Sequence, residues 1–157
     1  MTFITPEQST PQLDQPVKAA QPIKATQPIP YSRFTVERAE RALRCTPFKL
    51  PLFIAMQHQS VELKAIAAKA GLQNGYTDRP VIELAAESDL LWLIQVGLLR
   101  REVDGQGLTD SFRLTPLGHQ LLERWQLRGQ MHSRPSLSDR LQNALSRWAR
   151  LPSWVQF

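Results

Sequence analysis

The chain has 157 residues, 42% of them hydrophobic, and a net charge of +5, enough for one domain with its own core. A single cysteine, Cys45, excludes an internal disulfide framework and any multi-cysteine zinc site. The longest apolar run, Leu90 to Leu99, is interrupted by Gln95 and Gly97, and no basic-then-apolar leader opens the chain; these features point to a soluble, cytoplasmic protein with no integral membrane segment.

The charge is unevenly placed. Residues 1–34 carry +1 and 35–59 carry +2, whereas 60–122 carry −2 and 123–157 carry +4. The basic excess therefore belongs to the two ends, which weakens any argument from the pI of 9.9 to nucleic acid.

In chain order, residues 1–33 read as a disordered arm rich in Pro, Gln, Thr and Ser. Within it a Gln-Pro-Val/Ile unit starts at Gln15, Gln21 and Gln27. It suits a solvated, extended tether, or alternatively a docking peptide anchored by Val17, Ile23 and Ile29. A first helix is expected from an N-cap at Thr35, with Val36, Ala39, Leu43 and then Phe48 on its apolar side. Pro47 and Pro51 predict a break near 46–51, followed by a helix over 51–57.

Ser60 can cap the next helix, on which Leu63, Ile66, Ala67 and Ala70 share a face, with Gly71 as its stop. Asn74-Gly75 is a turn signal. Pro80 suits the first position of a helix running to Val96; being apolar around much of its circumference, that helix is expected to be well buried. A strand over 98–103, a turn at 104–107 and a return strand over 111–115 make a hairpin. A helix over 116–127 follows, burying Leu117, Leu121, Leu122 and Trp125. A last helix capped by Ser138 places Leu141, Leu145 and Trp148 on one face.

The predicted fold is mainly α with a small β-hairpin: a winged helix-turn-helix with a disordered N-terminal arm and an extra C-terminal amphipathic helix. The expected divisions are the arm at 1–33, the winged-helix domain at 34–129, and the C-terminal helix and tail at 130–157.

The stretch "AAESDLLWLIQVGLLRREVDGQGLTDSFRLTPLGHQLL" resembles bacterial regulators of the MarR and PadR type. It also resembles the winged-helix dimerisation domain of many O-methyltransferases. The likeness covers roughly residues 50–125 and is specific to fold more than to function. It implies a reading helix at 80–96 entering the major groove and a wing touching the backbone.

Two functions follow. The first is a dimeric, DNA-binding transcriptional regulator whose contacts to double-stranded DNA would come from Asn74, Tyr76, Thr77 and Arg79 before the reading helix, and from Arg100, Arg101 and Arg113 on the hairpin. Arg38, Arg41 and Arg44 would add a basic strip. Against it, the reading helix carries Glu83, Glu87 and Asp89 and has no Lys or Arg from Val81 through Leu99. The alternative is a non-enzymatic adaptor that binds a protein partner or itself through Trp92, Leu141, Leu145, Trp148 and Trp154. For the last helix, packing back on its own domain, docking on a partner and lying on an anionic membrane are the three options.

No enzyme constellation emerges. His58, His119 and His132 lack metal-ligand spacing, and no phosphate loop or dinucleotide fingerprint is present, so no cofactor is expected. Cys45 reads as an inert core thiol, with a redox sensor as the alternative.

Overall fold

A computed structural model describes residues 29–128 and 135–149. Residues 1–28 of the expected 1–33 arm, His132, and Trp154 with the rest of the tail lie outside the described residues. The fold is mainly helical with one small antiparallel sheet.

Helix α1 spans Arg33–Cys45. Its cap is Ser32, not Thr35: the Ser32 hydroxyl accepts from the Thr35 amide at 3.1 Å, so the helix starts three residues early. Tyr31, expected in the arm, packs half-buried against the core. After the break, α2 (Leu50–His58) holds Pro51 in its first turn, where a missing amide hydrogen costs no helical bond. It buries Leu52, Phe53 and Met56.

The expected Ser60-capped helix is replaced by three pieces: β1 (Val61–Glu62), α3 (Leu63–Ile66) and α4 (Ala68–Gln73). The break falls at Ala68, whose φ of 52° is left-handed. Its amide donates to the Val81 carbonyl at 2.7 Å, a long-range bond that offsets the local strain. Gly71 does not stop the helix. It lies within α4, where an added Cβ would sit 2.0 Å from the Ile66 carbonyl oxygen, so glycine permits the close approach of α3 and α4. The stop is Asn74, followed by Gly75 at φ 70°.

Helix α5 spans Glu83–Gln95 and begins later than expected, because Val81 is held in an extended bridge to Ala68. Ala86, Leu90, Trp92 and Leu93 are buried, but Ile82, Leu84 and Leu91 are exposed, so this segment is not buried all round. Strands β2 (Leu99–Asp104) and β3 (Gly107–Leu114) form the expected hairpin, with Arg100 paired to Arg113. The two-stranded expectation misses β1, which pairs Val61 with Phe112 and gives a sheet of order β1-β3-β2.

Helix α6 (Pro116–Arg128) buries Leu117, Leu121, Leu122 and Trp125 as expected. The Thr-Pro-Leu-Gly signature before and inside it has a physical basis. The Thr115 hydroxyl donates toward the Gly97 and Leu98 carbonyls and accepts from the Gly118 amide at 3.1 Å. A Cβ on Gly118 would stand 2.4 Å from the Leu98 carbonyl oxygen. Finally, α7 (Leu137–Trp148) is capped by Ser136 rather than Ser138, through a reciprocal capping box with Asp139. It lies against α1.

Candidate functional site

The residues expected to touch DNA fall into two groups. In the turn after α4, the Asn74 amide donates to the Ala65 carbonyl at 2.9 Å and so holds the loop. Tyr76 is half-buried on the core, and its carbonyl accepts from Lys49. Thr77 is 1% exposed and bridged to Phe48, which corrects its assignment as a surface contact. Arg79 is exposed.

On the hairpin, each arginine faces a carboxylate. Arg101 meets Glu87 of α5 at 2.7 Å and Asp110 at 3.5 Å, and lies over the Phe112 ring at 5.4 Å. Arg100 and Arg113 share Glu102 at 3.5 and 4.0 Å, and Arg113 also donates to the His58 carbonyl. Local acids thus neutralise the hairpin's charge, and they draw Arg101 toward α5 and away from solvent.

The second cluster lies where α7 crosses α1 and α5. Trp92 is 5% exposed, and its Nε1 donates to Asn143 Oδ1 at 3.0 Å. The Arg38 and Arg147 guanidiniums lie 5.3 and 5.9 Å from the centre of its ring. Arg147 bonds Asp89 at 2.7 Å and the Ser88 hydroxyl at 3.1 Å. At the other end of α7, Asp139 faces Arg44 at 3.8 Å and Arg41 at 4.0 Å. Burial raises the Asp139 carboxyl, but bonds from Ser136 and the charges of Arg44 and Arg41 outweigh it and hold the group below its usual range. The expected basic strip on α1 is therefore turned toward α7 and Trp92, not toward open solvent.

Asp139, Asn143 and Arg147 recur every four residues and form the side of α7 that touches the protein. Leu137, Leu141, Leu145 and Trp148 point outward, with exposures of 85, 63, 58 and 85%. Packing back on the domain does occur, but by the polar side, which reverses the usual arrangement. The expected partner residues therefore separate: Trp92 lies beneath α7, and Leu141, Leu145 and Trp148 lie on its outer surface. Leu137 was not singled out by the sequence, although its four-residue spacing from Leu141 marks it.

Between α5 and α7 lies an open groove of about 300 Å³, lined by Leu84, Glu87, Ser88, Leu91, Trp92, Gln95 and Arg147. Among the described residues, no group of three or more His, Cys, Asp or Glu side chains could hold a metal, and no helix is long and apolar enough to cross a membrane. Cys45 is half-buried; burial, with help from Asp139, pushes its thiol up against the opposing arginines, so it is less of a thiolate at neutral pH.

The model of the Npun_F0494-like family matches residues 29–147. The chain belongs to that family. No curated protein and no solved structure matches it. The Npun_F0494-like match runs from before α1 to Arg147, so it takes in the Asp139, Asn143 and Arg147 contacts of α7 together with the sheet and α5.

Proposed function

We propose that this Npun_F0494-like protein is a non-enzymatic protein-interaction module, built on a winged-helix framework and docking partners through the outer face of α7. The observation that carries this reading is the orientation of α7. A helix that anchors itself by Asp139, Asn143 and Arg147 leaves four large apolar side chains in water. Contiguous exposed apolar surface of this kind is characteristic of interaction sites.

The winged-helix framework is supported by the order helix, strand, helix pair, helix, hairpin and by the β1-β3-β2 sheet. That same layout favours the second reading, a dimeric regulator binding double-stranded DNA through Asn74, Arg79, Arg100, Arg101 and Arg113. The electrostatics favour the first. In the position of the reading helix, α5 carries no Lys or Arg and exposes Glu83, and the hairpin arginines already face carboxylates.

Titration of mixed duplex DNA at about 50 and about 200 mM salt separates the two readings. The interaction module shows no binding tighter than the roughly 10⁻⁴–10⁻⁶ M of non-specific contacts. Tighter binding that falls steeply with salt and is lost on replacing Arg100 and Arg113 by alanine would overturn the proposal in favour of the regulator.

A further inference from the structure

We infer that the occupant of the outer face of α7 is a second copy of this chain, packed antiparallel across a two-fold axis. The inference rests on the reading of that face as a docking surface and adds the identity of what docks. Leu137, Leu141, Leu145 and Trp148 are spaced so that a two-fold at the level of residue 143 sets Leu137 beside Trp148 of the second copy. The same operation sets Leu141 beside Leu145 of the second copy. The stripe is thus complementary to itself, as an isologous contact requires.

Of the charged residues on α7, Asp139 and Arg147 are engaged inward with α1 and α5. The remaining one, Arg140, falls level with Ser146 of the second copy, so no like charges meet across the axis. Ala144, exposed beside the stripe and close to the axis, lets the two backbones approach.

Leu84 and Leu91 line the groove beside Arg147 and add exposed apolar surface next to α7. Together with the four stripe residues they offer at most on the order of 800 Å² per copy, a ceiling that reaches the ~800 Å² buried per partner in a standard stable interface.

Sedimentation velocity on the full chain at ~100 µM tests this, because interfaces of this size hold at micromolar concentrations or below. The expected result is a dimer mass that returns to a monomer mass in the Leu141→Gln/Leu145→Gln variant, with helical circular dichroism unchanged. Copper-phenanthroline oxidation supplies an independent readout: Ala144→Cys gives a disulfide-linked dimer, whereas Ser138→Cys, about 15 Å from its own copy in this register, reacts no faster than wild type. A monomeric wild-type chain, a double variant that stays dimeric, or Ser138→Cys crosslinking as fast as Ala144→Cys would overturn the inference. A monomer would leave protein docking in place, since neither the DNA titration nor the outward orientation of the stripe depends on self-association.

Discussion

Across 51 positions of sequence, the buried indole of Trp92 donates to the side-chain oxygen of Asn143 at 3.0 Å, joining α5 to α7. Asn143 is the buried residue of its helix, so a polar group does the anchoring that a leucine usually does. Asn143→Ala strands the indole N–H away from water and is expected to lower stability by about 1–3 kcal/mol. The same substitution made in a Trp92→Phe background costs less, because the orphaned donor is gone. Chemical denaturation of the four species measures the coupling.

Asp139 gives the docking of α7 a pH dependence of definite sign. Its folded-state carboxyl is held low, so its stabilising contribution is complete above the ordinary carboxylate value near 3.9 and is lost as pH falls through the depressed one. Asp139→Asn is therefore less stable than wild type at neutral pH. That difference should hold down to about pH 5 and shrink toward zero below about pH 4. Paired denaturation curves across this range check it; a gap that widens toward acid would contradict the assignment.

Two glycines mark backbone contacts that no side chain can share. At Gly71 and Gly118 an added Cβ would stand 2.0 and 2.4 Å from the carbonyl oxygens of Ile66 and Leu98. Alanine at either position is expected to cost about 3 kcal/mol or more, since backbone must move. At Gly75 the space is open and the φ of 70° is the only obstacle, so alanine costs about 1–2 kcal/mol. Urea midpoints of the three variants give the ranking.

Much of the fold is legible in the sequence where burial and periodicity agree. The α6 stripe, the hairpin and the break between α1 and α2 follow from leucine spacing, Gly-containing turns and two prolines. The split of α3 from α4 is not legible, because the left-handed Ala68 depends on a bridge to Val81, thirteen positions on. Strand β1 is two residues long and exists through its pairing with Phe112 and Ser111. The orientation of α7 defeats the usual rule for a different reason. The surface it meets offers Arg41, Arg44, the Trp92 N–H and Asp89, and the matching signal in sequence is the four-residue spacing of Asp139, Asn143 and Arg147.

That reversed docking of α7 is the claim on which the proposed function stands. It is tested most directly by the unfolding free energy of Leu141→Gln/Leu145→Gln, measured at a concentration at which sedimentation velocity shows the wild-type chain to be monomeric, so that lost association does not count as lost burial. Glutamine matches leucine closely in helix propensity, so the comparison isolates burial. The arrangement described predicts a stability within about 0.5 kcal/mol of wild type, as for surface substitutions. A loss of roughly 2–5 kcal/mol per site, the cost of removing a leucine from a core, would place these side chains inward and contradict the account.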